Sequence, residues 1–203
     1  NGVRAYNEVG GTTAVDMALD GSVLASMERV AATGDLTVRI IGHVLIHRSG
    51  DRADEVQQVA AAATLATQYN SAHLRVTGIK IIVDGTIDGC TAAMINPYAN
   101  GTNDAGIWDL DSLVPVVTAA DSAGLQVALH AIGDQAVRTA IDALEAAITA
   151  NGSSGRRHRI EHLEYVDEAD VPRLAKLGIT ASMQPVHVDP AILSNWVAML
   201  GDA

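Results

Sequence analysis

The run Gln126-Val-Ala-Leu-His-Ala-Ile-Gly-Asp134 holds a strand, its end and the start of the next helix. Side chains alternate along a strand, so Ala128 and His130 share one face while Val127 and Leu129 share the other. His130 closes the strand just before Gly133, and Asp134 is expected to cap the helix that follows. In parallel α/β barrels the C-terminal ends of strands are where catalytic side chains gather. The alternative for His130 alone is a histidine that merely hydrogen-bonds a loop carbonyl.

Outward from this unit, strand-like and helix-like runs alternate, which predicts a parallel sheet. Strands are expected at Thr12–Met17, Thr37–Ile46, Arg75–Val83, Gln126–Ala131, His158–Tyr165 and Ile179–Met183. Helices are expected at Ser22–Ala32, Asp54–Tyr69, Leu113–Ala123, Asp134–Ala150 and Glu168–Leu177, with a short apolar stretch at Ala191–Leu200. Neither a dinucleotide-binding glycine fingerprint nor a P-loop is present, which disfavours a nucleotide-binding sheet. The segment Asp84 to Asp111 reads as one long loop, and such loops are more often functional than idle. The expected fold is α/β, an incomplete (β/α)8 TIM-like barrel with about strands 2–7 present, in one domain over residues 1–203. A closed barrel needs eight strands and about 250 residues, so the chain reads as a fragment.

A second informative run is Arg157-His-Arg-Ile-Glu-His-Leu-Glu164. Alternation puts Ile160 and His162 on one face and Arg159 and Glu161 on the other. His130 and His162 would then close adjacent parallel strands roughly 5 Å apart, a spacing that suits two neutral imidazoles on one divalent ion. A third run is Gly78-Ile-Lys-Ile-Ile-Val-Asp-Gly85. Burying the ammonium of Lys80 costs several kcal/mol unless it is paired. Lys80 is either ion-paired, with Asp84 the nearest carboxylate in sequence, or a modified metal ligand. Past the last strand, Gln184 and His187 reach the same end of the sheet, Gln184 to hold a substrate polar group and His187 a substrate or a metal. His43, His73 and His158 fall to structural readings.

A net charge of −11 argues against nucleic acid, and no apolar run approaches the roughly 18 residues of a membrane span. The single Cys90 excludes an internal disulfide framework and fits a reducing, cytoplasmic compartment. The chain begins at Asn1, and the true N-terminus is expected upstream.

The combination Leu129-His-Ala-Ile-Gly-Asp134, Arg159-Ile-Glu-His162 and Met183-Gln-Pro185 resembles amidohydrolase family 3 of the amidohydrolase superfamily. Lys80 to Gly85 is similar to that family's Lys-x-x-x-Asp-Gly segment, and Thr91, Ala92, Pro97 and Tyr98 match its loop. The resemblance implies a distorted (β/α)8 barrel with one or two divalent metals, usually zinc, that hydrolyses an amide-type C–N bond of a small molecule. It implies that His130 and His162 are metal ligands of the fifth and sixth strands. It also implies that Lys80 matches a fourth-strand lysine which related enzymes carboxylate to bridge two metals. Lys80, His130 and His162 are thus the catalytic and metal candidates; Asp84, Gln184 and His187 are the substrate candidates. The family's first-strand His-x-His pair and eighth-strand Asp are expected outside this chain. The alternatives are a non-catalytic small-molecule-binding barrel and a metal-dependent esterase. Open sheet edges make a homo-oligomer a further expectation.

Overall fold

The computed structural model describes residues 2–152 and 155–201. Six strands, β1 (Thr13–Leu19), β2 (Arg39–Leu45), β3 (Leu74–Ile82), β4 (Gln126–Ala131), β5 (Arg159–His162) and β6 (Thr180–Ser182), form one sheet in chain order. Every neighbouring pair is parallel. The connections carry α2 (Gly21–Ala32), α3 (Arg52–Gln68), α4 (Leu110–Ser122), α5 (Asp134–Asn151) and α6 (Val171–Leu177). A short α1 (Gly2–Glu8) precedes the sheet, and a 3-10 turn (Pro185–Val188) leads into α7 (Pro190–Leu200). The α/β class and all six expected strands are present, with β5 ending at His162 instead of running on to Tyr165. Among the described residues the sheet is open, since β1 pairs only with β2 and β6 only with β5. This is the arrangement of an incomplete barrel.

The helices cover one face. On α5, Ala136, Val137, Ala140, Ile141, Leu144 and Ala147 recur at helical spacing and are buried. They pack with Val127, Leu129 and Ala131 of β4, Ile79 and Ile81 of β3, Ile160 of β5, and Leu113, Val116 and Val117 of α4. A fully buried aliphatic side chain contributes roughly 1.5–3 kcal/mol, so this layer dominates the stability of the sheet. A smaller layer joins Leu24 of α2 to Leu19, Ile40, Leu74 and Val76.

The N-terminal ends of the strands hold a polar network. Asp121 accepts from Arg156 Nε at 2.6 Å and from Asn151 Nδ2 at 2.8 Å. Val127 N donates to His158 Nδ1 at 3.0 Å, so Nε2 carries the proton and donates to Asp121 at 2.9 Å. His43, also buried, bonds Gln126 Oε1 at 2.8 Å. These contacts tie α4, β4 and β5 together at the end opposite the chemistry, in line with the structural reading of His43 and His158.

The long loop after β3 is pinned by Asp84, whose side chain has no exposed surface. Its carboxylate accepts from Ala93 N (3.1 Å), Ile132 N (3.0 Å) and Gly133 N (2.9 Å). Burial raises its pKa to about 6 against the pull of those three donors. Asp84 therefore braces the loop against the start of α5, in place of the substrate contact expected from the sequence. A Cβ on Gly133 would collide with the Ala93 carbonyl, so only glycine fits this approach. Asp134 shares the bracing role: its Oδ1 accepts from Ile95 N at 2.8 Å and Gln135 N at 2.9 Å. The helix cap is Gly133, not Asp134 as the sequence suggested.

Two tests follow from these buried groups. Asp84→Asn turns one acceptor into a donor facing backbone N–H groups and is expected to cost roughly 2–3 kcal/mol, read by urea denaturation, with faster hydrogen exchange at Ala93, Ile132 and Gly133; unchanged stability would remove the bracing role. Burial holds His158 below its ordinary value of 6.5, with the Asp121 hydrogen bond opposing. The unfolded chain then takes up the proton first, so the stability this histidine contributes is full above pH 6.5 and declines as the pH falls below it. His158→Gln, which cannot titrate, is expected to show a shallower decline in urea midpoint between pH 7.5 and 5.5 (about one unit either side of that ordinary value).

Candidate metal centre

The open face of the sheet carries the polar side chains, and two backbone irregularities put them there. The β2–β3 register slips between Gly42↔Val76 and His43↔Gly78, leaving Thr77 as an extra residue. Such a bulge shifts the alternation by one. Leu74 and Val76 face the helices before it, Ile79 and Ile81 after it. Lys80 is thereby turned to the open face, where simple alternation from Leu74 would have sent it under the helices.

The second irregularity is at His162. Ile160 is fully buried among the helices, and alternation would send His162 the same way, as the sequence reading assumed. Instead His162 has φ 77° and Leu163 has φ 54°. Leu163 N bonds Glu161 O at 3.2 Å, which makes His162 the centre of a γ-turn with positive φ, a rare and strained form. The turn swings the imidazole to the open face, where it meets His130 edge to face with ring centroids 4.4 Å apart. Strain of this kind costs of order 1–3 kcal/mol and clusters at functional sites.

Both histidines are suited to bind a cation as neutral ligands. The Gly85 carbonyl can only accept, so His130 Nε2 carries a proton and donates to it at 3.1 Å, leaving Nδ1 with its lone pair. Burial lowers the His130 pKa to about 4. The 3.6 Å approach of His130 Nε2 to Asp84 Oδ1 is therefore no ion pair near neutral pH. Burial also holds His162 below its usual range, helped by the charge of Lys80. Its Nδ1 is buried with no hydrogen-bond partner, an expensive condition that a metal ion would relieve. On these grounds the pair fits a divalent ion.

Lys80, 6% exposed, stands opposite Ala128 in the register, one row behind the pair Ile82↔His130. Burial lowers its pKa to about 8, and the carboxylate acting against this is Glu161, not Asp84. No Lys80–Asp84 ion pair forms among the described residues. Glu161 is itself 6% exposed and held by Arg159, whose Nη2 also donates to Ser182 Oγ at 2.6 Å. The sequence reading passed over Glu161. The signal was Ile160, the only aliphatic residue of the strand, which must face the helices and so leaves Arg159 and Glu161 on the open side.

The remaining substrate candidates come to the same place. Gln184, exposed just past the end of β6, lies beside the His162 ring and acts to raise its pKa against the burial that lowers it. His187, on the 3-10 turn, stacks on His162 with centroids 5.6 Å apart and planes at 5°. Its Nδ1 bonds Glu164 Oε1 at 2.5 Å, and Glu164 is another residue the sequence did not single out. Thus Lys80, His130, His162, Gln184 and His187 gather at the C-terminal end of the sheet, while Asp84 supports them from beneath the loop.

Known proteins with this arrangement include an uncharacterized metal-dependent hydrolase from Pyrococcus furiosus, with a TM-score of 0.79 and 25% sequence identity. The match covers 98% of this chain and 39% of that one. The putative amidohydrolase YtcJ of Bacillus subtilis is 28% identical over 179 residues, 85% of this chain and 31% of its own length. Protein LONG AFTER FAR-RED 3 of Arabidopsis thaliana is 38% identical over 113 residues, 55% of this chain and 19% of its own. The chain thus spans about a fifth to two fifths of the length of these relatives. The sequence profile of the amidohydrolase family matches residues 1–200, so nearly the whole chain is covered, and the chain belongs to the amidohydrolase family.

Proposed function

We propose that the protein containing this chain is a metal-dependent hydrolase that cleaves an amide-type C–N bond of a small molecule with water. The observation that carries this reading is the His130–His162 pair, two neutral imidazoles with ring centroids 4.4 Å apart, one with an orphaned buried nitrogen. His130 and His162 would hold the ion, zinc first, with Lys80 beside them as a third ligand if carboxylated. A divalent ion bound there supplies a Lewis acid that polarises a carbonyl and acidifies water.

The protein's own groups do the rest of what this half of the site can do. The His130 Nε2–H bond to Gly85 O fixes that ring's tautomer and orientation. Lys80, lowered to about 8, yields its proton more readily than an ordinary lysine, as modification of its amine requires. The Gln184 amide, exposed beside His162, is placed to hold a polar group of the substrate. The chain would contribute about strands 2–7 of a barrel closed by the remainder of a longer protein. Its two unpaired sheet edges and the exposed Met183, Val186 and Val188 near β6 support that reading. The rest of the protein would then supply the remaining metal ligands and the carboxylate that shuttles the proton. No described helix is long and apolar enough to cross a membrane, and we place the protein in the cytoplasm.

A panel of formamides, N-acylated amino acids and matched esters tests the bond type on the intact protein. His130→Ala and His162→Ala are each expected to lower kcat/KM for the amide substrates by about 100-fold or more, since loss of a supporting contact alone costs 10–100-fold. Elemental analysis should show metal content falling with activity. Full metal content and undiminished turnover in the double variant would remove both histidines from the centre, and a preference for esters would overturn the C–N assignment.

A further inference from the structure

We propose that Glu164 and His187 form a dyad that reads an N–H group of the substrate, so that the preferred substrates are amides bearing hydrogen on nitrogen; this rests on the hydrolase reading above. His187 Nδ1 and Glu164 Oε1 are 2.5 Å apart. A carboxylate oxygen only accepts, so Nδ1 carries the proton and Nε2 of the neutral ring presents a lone pair. The ring is held on two sides, by that hydrogen bond and by the face of His162, with centroids 5.6 Å apart and planes at 5°. The stack uses only the face of His162, so the His162 lone pair stays with the ion proposed above. Side-chain exposure is 10% for Glu164 and 32% for His187, which puts the carboxylate behind the imidazole and the imidazole toward solvent. Among the described residues Glu164 is the ring's one hydrogen-bond partner, which leaves Nε2 for a ligand. An amide nitrogen is one bond from its carbonyl carbon, so a substrate seated at the His130–His162 pair brings that N–H toward the neighbouring His187.

The simpler account is a structural tie between the 3-10 turn and the segment after β5. Neither element needs it. Leu163 N bonds Ala131 O at 3.1 Å, and Tyr165 N bonds Ile132 O at 3.0 Å, so the segment bearing Glu164 is already fastened to the end of β4. His187 N bonds Gln184 O at 3.0 Å, and Asp189 N bonds Val186 O at 3.3 Å, which closes the turn on itself. A carboxylate on one ring nitrogen fixes the tautomer and direction of the other, the usual arrangement where a histidine serves a ligand. Glu164 is then the positioning residue, and His187 is the one that touches substrate. An ester or an N-methyl amide offers Nε2 no donor and leaves the lone pair unpaired beneath it. Sites built around such a hydrogen bond discriminate by that loss.

The test pairs the best amide of the panel above with its N-methyl counterpart, on the intact protein. The readout is kcat/KM where the amides are turned over, and the inhibition constant against an ester where they are not. The N–H amide is expected to be favoured by about tenfold or more, and His187→Ala should bring the two to near parity by weakening the N–H amide alone. Glu164→Leu, which frees the ring to turn and to exchange tautomers, should lose most of the preference, with circular dichroism to confirm each fold. Nitrogen-15 spectra of histidine-labelled, metal-free protein give a readout apart from activity. The His187 signal, assigned by its loss in His187→Ala, should show the proton on Nδ1, and Glu164→Leu should move it. A preference that survives His187→Ala in the folded protein would overturn the proposal. So would equal treatment of the two amides by the unsubstituted protein, or a His187 ring protonated on Nε2. Should Glu164→Leu fail to fold, His187→Ala, on a partly exposed turn, decides alone. An N–H preference lost in His187→Ala while only esters are turned over would sink the C–N reading and leave the dyad standing; amide turnover with an unchanged preference would do the reverse.

Discussion

The arrangement at the C-terminal end of the sheet depends on one buried carboxylate. Asp84 receives three backbone N–H groups, one from the loop at Ala93 and two from the turn between β4 and α5. That turn begins two residues after His130, and Gly85, next to Asp84, provides the carbonyl that fixes the His130 ring. One group therefore sets the loop, the helix start and the orientation of a metal candidate together. Burying it is costly, as its raised pKa of about 6 shows. Three backbone donors offset much of that cost, because a charged acceptor makes hydrogen bonds about twice as strong as a neutral one.

Against this rigid frame, the polar side chains are aimed by departures from regular strand geometry. The extra residue at Thr77 rephases β3 so that Lys80 looks out over the open face, and the γ-turn at His162 rotates one ring through what would otherwise be a buried direction. Neither feature stabilises the sheet; a bulge interrupts the ladder, and a non-glycine residue at φ 77° is strained. Both persist because the packing of Ile79, Ile81 and Ile160 against the helices determines where the backbone must run. The apolar layer carries the strain, and the open face gains the histidines.

The open face also concentrates charge, two cations around one carboxylate. Lys80 and Glu161, both buried, and the half-buried Arg159 form a group in which Arg159 grips Glu161 while Glu161 acts on Lys80. The ammonium is stabilised enough to be buried and destabilised enough to titrate near neutrality. A lysine that simply paired with a carboxylate would sit at the other extreme, fully charged. Among the described residues the edges of β1 and β6 stay open, and the chain covers 39% of the metal-dependent hydrolase from Pyrococcus furiosus.

The alternation of apolar strands with Ala-rich helices was sufficient to determine a parallel α/β sheet of six strands in chain order, because hydrophobic periodicity is a local property of the chain. The same local reading located His130, His162, Lys80, Gln184 and His187 as residues at strand ends or in strand interiors where polar groups demand a reason. It could not say which face His162 takes: alternation puts it on the side of Ile160, and the γ-turn that reverses it, with φ 77° at a non-glycine residue, leaves no mark in the sequence. Nor could it separate Asp84 from the substrate candidates: the carboxylate opens a long polar loop, and its partners are backbone N–H groups at Ala93, Ile132 and Gly133, which leave no mark in a sequence. Glu164 was missed for the same reason, and the place of Glu161 on the open face, legible from Ile160, did not reveal its partners. Their roles arise from contacts between β3, β5 and the turn after β6, and distances between elements are decided by packing in three dimensions, not by spacing along the chain.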